Sequence, residues 1–173
     1  MAKALSLLVM LGVSTVAAGL FGALHNQVSY SVGPTYFTDL KFNQFRLPEE
    51  LRTRVGVSWI GWQASWWMGA FVALPGFLMG LMYAPNAVTF RRTAWRAVAW
   101  VFVLVSLAAG LACVVGQVWL TDVIAAQLPL PVHTEDALGF ARAGLMHEAS
   151  YFGGALCALV TLWMMWPIKQ TEG

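Results

Sequence analysis

Charge is what this sequence has least of. Only 10% of its 173 residues are Asp, Glu, Lys or Arg, against 59% apolar residues. Soluble domains run at about 25% charged and about 45–50% apolar. A small domain also leaves much of its surface in water, so it cannot hide this much apolar area. The composition excludes an ordinary soluble globule and a disordered chain. A net charge of +2 is too small to hold a phosphate backbone, so no nucleic-acid partner is expected. Cysteine is scarce as well. Cys113 and Cys157 lie in apolar runs with no CxxC and no metal-ligand spacing. That excludes a disulfide scaffold and a zinc module, and leaves two small packing residues.

Catalytic signatures are also missing. There is no P-loop, no GxSxG and no CxxCH for haem attachment. His147-Glu148 begins like a zincin helix, but the second histidine of HExxH is absent. No Glu-x-x-His pair of the di-iron type occurs. Ser150 lies three residues from His147, but one helical neighbour does not make a triad.

What is present is long apolar runs, at 4–24, 57–83, 97–120 and 143–167. Each reaches the ~20 residues that cross a bilayer core, and backbone in lipid must bond to itself. The expected fold is an all-α, integral-membrane, four-helix antiparallel bundle forming one domain over 1–173. Segments 25–56 and 121–142 would make an extracytoplasmic cap. The first run is longer than the 7–15 residues of a signal h-region, so it reads as an uncleaved helix. Four spans put both termini and the loop with Arg91, Arg92 and Arg96 on one side, together with Lys3 and Lys169. Lys41, Arg46, Arg52, Arg54 and Arg142 balance them on the other. The density of the short loop favours it as cytoplasmic, giving a multi-pass cell-membrane protein, N-in and C-in. The tryptophans gather near span ends, as in an interfacial aromatic belt.

Local signals refine the connections. Leu47-Pro48-Glu49-Glu50 reads as a helix start that runs on into span two, with Glu50 and Arg54 paired four residues apart. Thr134 reads as an N-cap before Glu135 and Asp136, so that span four begins near Glu135. Gly76 and Gly80 form a GxxxG after Pro75. Thr15, Gly19 and Ala23 line up on span one, and Gly153-Gly154 sits in span four. Bundle packing within the chain accounts for these small residues more simply than a dimer face.

The chemistry-bearing residues cluster by depth. Counting ~20 residues outward from the inner ends of spans one and four reaches His25 and His147. His133, in an outer segment, reads as solvated. Asn26 and Gln27 follow His25; Glu148 follows His147; Ser150 and Tyr151 share its helix face. Tyr36 and Asp39 come from the segment that folds back over this end. Ionisable groups at membrane depth are candidate functional sites. His25, His147 and Glu148 would form a minimal metal set, with Asn26, Gln27, Tyr36, Asp39, Ser150 and Tyr151 as surrounding polar groups. A plain hydrogen-bonded seal of the bundle end is the simpler reading. No cofactor is identified by any motif.

The run His25-Asn26-Gln27-Val28-Ser29-Tyr30, then Tyr36-Phe37-Thr38, Trp66-Trp67-x-Gly69 and His147-x-x-Ser150-Tyr151, resembles an uncharacterised family of small bacterial four-span membrane proteins. Its marks are an HDQ-type motif, a YFT segment and a WWxG span. Here Asn26 stands where the family has an acid, and Thr35 where it has glutamate. The resemblance implies the fold and these residues, and no reaction. The expected function is a non-catalytic accessory or scaffolding subunit of a larger membrane assembly, with the bilayer and other membrane subunits as partners. The alternative is a membrane redox, metal or haem protein using His25 and His147.

Overall fold

The computed structural model describes residues 1–131 and 134–166. His133, Pro167 and Lys169 lie outside the described residues. The described chain is helical, with no strand. Among the described residues, four helices are long and apolar enough to cross a membrane: α1 (Ala2–Val32), α3 (Arg54–Tyr83), α4 (Ala87–Trp119) and α6 (Ala137–Met165). Short helices α2 (Phe42–Gln44) and α5 (Asp122–Ala125) lie in the connections.

α1 runs past the end of its apolar stretch because its polar last turns face α3. Asn26 Nδ2 donates to the Val57 carbonyl at 3.0 Å, and Gln27 Nε2 donates to the Arg54 carbonyl at 2.7 Å. The helix stops at Gly33-Pro34, where the residue before proline is disfavoured in the helical region. A Cβ on Gly33 would strike the Gly139 backbone, so the end of α1 meets the start of α6.

α1 packs chiefly on α3, and α4 on α6. Along the first pair Gly22 abuts Gly61 and Ser14 abuts Gly69, backbone against backbone. Residue numbers thus rise along α1 as they fall along α3. Gly76 lies against the Thr161 backbone of α6, and Gly80 against Met165 and Phe90. The GxxxG of α3 is therefore used inside the chain. Pro75 has no N–H for its own helix. One residue on from the Phe71 carbonyl that Pro75 leaves without its helical donor, the Val72 carbonyl accepts from Thr161 Oγ1 at 3.1 Å.

Large apolar side chains point outward, among them Leu8, Leu20, Phe71, Leu111 and Leu156. The interior holds Ser6, Ser14, Ser29 and Thr161 alongside alanine, glycine and larger side chains such as Met10, Ile60, Phe77, Phe90, Met146 and Met165. Trp59, Trp66, Trp67, Trp95, Trp100, Trp119, Trp163 and Trp166 are exposed, whereas Trp62 lies over Gly19.

Several local expectations are corrected. Glu49–Leu51 is an isolated 3₁₀ turn, and the chain breaks at Arg52 before α3 starts at Arg54. Arg54 turns to α1 instead, donating to Gln27 Oε1 at 3.2 Å and Ser31 Oγ at 3.0 Å. The N-cap of α6 is Asp136, whose Oδ1 accepts from the Gly139 N–H at 2.8 Å. Asp wins over Thr134 because its carboxylate reaches the third N–H of the helix and complements its dipole.

The 33–53 connection is ordered by its own packing. A π-helical turn, Tyr36–Lys41, runs into α2 and ends with Arg46 at φ 51°. The Leu47 N–H bonds the Phe42 carbonyl at 2.8 Å and the Arg46 N–H bonds the Asn43 carbonyl at 3.0 Å. This pair is a Schellman ending. Tyr36, Phe37, Phe42 and Leu47 pack with Val57 and Ile60 of α3 and Phe140 and Ala143 of α6.

Candidate functional site

His25 and His147 meet. They are 8% and 4% exposed, with ring centroids 4.7 Å apart, edge to face. Each is held by its own helix and by a neighbour. Phe21, one turn back on α1, stacks on His25 at 5.4 Å and 20°. Ser29, one turn forward, places its Oγ 3.1 Å from His147 Nε2. The Tyr36 ring tilts over His147 at 4.7 Å, and Phe37 closes another side at 5.9 Å. The buried His25 Nε2 has no hydrogen-bond partner.

The other expected members divide. Tyr151 sits 6.2 Å from His147, ring to ring. Ser150 Oγ donates back to the His147 carbonyl at 2.8 Å. Glu148 is exposed, because the residue after a buried helical one is turned ~100° away. Asn26 and Gln27 serve the α1–α3 contact described above. Asp39 Oδ1 accepts from its neighbour Thr38 Oγ1 at 2.7 Å, and its buried Oδ2 has no partner. Among the described residues, no three His, Cys, Asp or Glu side chains gather as a metal-holding set.

Two participants escaped sequence reasoning. Ser29 is fully buried; its i+4 relation to His25 was the available signal. Lys41 is 8% exposed, with Nζ 5.3 Å from the Tyr36 ring centroid and 3.0 Å from Gln44 Oε1. Nothing in its sequence surroundings marks it as buried. Burial pulls the Lys41 ammonium below its ordinary range, opposed by Glu148. Burial pushes the Tyr36 phenol up, helped by Tyr151 and Glu148. At neutral pH the connection thus brings a neutral phenol to the histidine pair.

Chemically, the site carries two imidazoles, the Ser29 hydroxyl and the Tyr36 phenol in a mostly aromatic enclosure. Such a group can hydrogen-bond or relay a proton.

No family model matches the sequence, and no curated protein or solved structure matches it either.

Proposed function

We propose that the chain is a four-span, antiparallel membrane protein of non-catalytic type, an accessory or scaffolding subunit of a larger assembly in the cell membrane. The carrying observation is four long apolar helices that turn many large apolar side chains outward and meet backbone to backbone at Gly22 with Gly61, Ser14 with Gly69 and Gly76 with Thr161. Lipid removes the penalty for the outward side chains and rewards the close backbone approach. The end formed by Met1, residues 84–86 and Met165 carries Lys3, Arg91, Arg92 and Arg96 and no described acid. Its charge supports an N-in, C-in orientation. The 33–53 segment is then an extracytoplasmic cap. Gly12 on α1 and Gly110 on α4 have open space around them, leaving small-residue positions for lateral contact with another span. Purification in a mild detergent tests the reading. The expected result is a complex with other membrane subunits that Gly12→Leu or Gly110→Leu dissociates. A chain that purifies alone and monomeric would overturn it.

The contact between His25 and His147 favours a second reading, a metal or haem site. It supplies two imidazoles and no carboxylate, and His147 Nε2 already faces Ser29. The rings also touch, with no room for a macrocycle between them. Elemental analysis and a visible spectrum decide: a bound transition metal or a Soret band lost in His25→Ala would promote this reading over the first.

A further inference from the structure

One outward face of α4 joins two cations to an apolar track. Arg92, Arg96, Ala99 and Val103 follow one another at i, i+4, i+7 and i+11, and all four are exposed. Arg96, Ala99, Trp100 and Val103 line a shallow surface groove of about 280 Å³. Ala99 is the small residue that opens it between three larger ones. The same face continues to the exposed Leu107. The uncharged stretch of α4 begins at residue 97, so Arg96 stands at the edge of the hydrocarbon. Arg92 lies about 6 Å further out, at the depth of lipid headgroups. Exposed Trp95 and Trp100 flank this level, as tryptophan does at a membrane interface.

The two arginines differ from the other cations at this end. Lys3 Nζ donates to the Ala84 carbonyl at 2.9 Å, and Arg91, on another face of α4, donates to Ser6 Oγ at 3.1 Å. Arg92 and Arg96 have no hydrogen bond or ion pair with any described residue. Like charges four residues apart on a helix repel, and an anion held by both removes that repulsion. No described acid lies at this end, so the ammonium of a zwitterionic ligand finds no carboxylate to match it.

We propose that this face binds one anionic phospholipid, its phosphate on Arg92 and Arg96 and an acyl chain in the groove over Ala99 toward Leu107. Guanidinium groups suit a phosphate, which accepts their paired N–H donors. The proposal rests on the membrane reading above, whose N-in orientation turns this end to the leaflet rich in anionic lipid.

Native mass spectrometry tests it, with the purified full chain in detergent titrated with phosphatidylglycerol or with phosphatidylcholine of the same chains. One phosphatidylglycerol should bind in preference to phosphatidylcholine. Arg96→Gln should weaken phosphatidylglycerol about fivefold, the effect of one cation near a lipid surface, and Arg96→Lys should keep most of the affinity. Arg46→Gln, which removes an exposed cation at the other end, should leave it unchanged. Ala99→Phe fills the groove and should weaken both lipids. The substituted side chains are exposed, so the variants should melt with the unmutated chain. Equal affinity for the two lipids, or equal effects of Arg96→Gln and Arg46→Gln, would overturn the proposal. Displacement of phosphatidylglycerol by an equal concentration of inorganic phosphate would overturn the role of the groove. Binding in detergent does not depend on which way the chain faces a membrane, so a failure there strikes the lipid site and not the orientation.

Discussion

The two ends of the bundle are closed by different physics. At one, Met10, Phe77, Phe90 and Met165 are completely buried against Ala84, Ala94 and Ala97. Phe77 and Phe90 meet edge to face at 5.9 Å. That end is a tight apolar plug, and the polar side chains around it reach across its rim. Lys3 Nζ donates to the Ala84 carbonyl at 2.9 Å, and Arg91 Nη1 donates to Ser6 Oγ at 3.1 Å. At the other end, two histidines, two serines, an asparagine and a lysine are buried, and a connecting segment folds over them. The difference teaches where specificity lies. A plug of methionine, phenylalanine and alanine accepts many substitutions of equal volume. A buried polar layer accepts only those that keep its partners.

The sharpest way to break the comparison is a large truncation at the apolar end. Phe90→Ala should cost roughly 3 kcal/mol, the usual range for emptying a buried aromatic site, with no dependence on pH between 6 and 9. Thermal unfolding in detergent measures it. At the histidine end, Ser29→Ala should cost about 1–2 kcal/mol, since it leaves His147 Nε2 without its hydroxyl in a buried site. Ser29→Thr, which keeps the hydroxyl, should recover part of the loss.

Lys41→Met should act in the opposite direction. The folded chain holds Lys41 below its ordinary pKa, so between the folded value and 10.5 the unfolded chain binds more protons and stability rises with pH. The penalty is full below the folded value and absent above 10.5. The variant should therefore unfold at higher temperature near neutrality, with the gain shrinking as pH approaches that limit. A gain that grows with pH would contradict the burial of the cation. The smallest effect is expected at Arg46→Gly. A non-glycine residue at φ 51° carries a left-handed penalty, offset in part by the freedom glycine adds to the unfolded chain. The net gain should be under about 1 kcal/mol, read as a small rise in melting temperature.

These two ends also differ in how legible they were. The similar depth of His25 and His147 followed from helix rise alone, since both lie about one bilayer thickness from the apolar end. Azimuth did not follow. One residue of helix turns Asn26 and Gln27 away to α3, and the same step exposes Glu148. Hydropathy ended the first span at residue 24, but the helix reaches Val32 because α3 supplies partners for its polar turns. Arg142 was counted as a loop charge. It is half-buried and closes the end of α4, with Nε donating to the Gly116 carbonyl at 3.0 Å and Nη2 reaching the Leu120 carbonyl at 3.4 Å. A cation on the last carbonyls of a helix is favourable, but its partners lie far away in sequence and no local pattern marks them.

The proposed orientation requires the two ends of the bundle to face opposite sides of a membrane. Cysteine accessibility tests that most directly, after Cys113 and Cys157 are replaced by alanine. Single cysteines at residues 84–87, beside the apolar plug, and at 128–131, beside the histidine end, are exposed to a membrane-impermeant thiol reagent in intact cells and in inverted vesicles. The account predicts labelling of 128–131 from outside the cell and of 84–87 from the cytoplasmic side. Labelling of both from one side would contradict it.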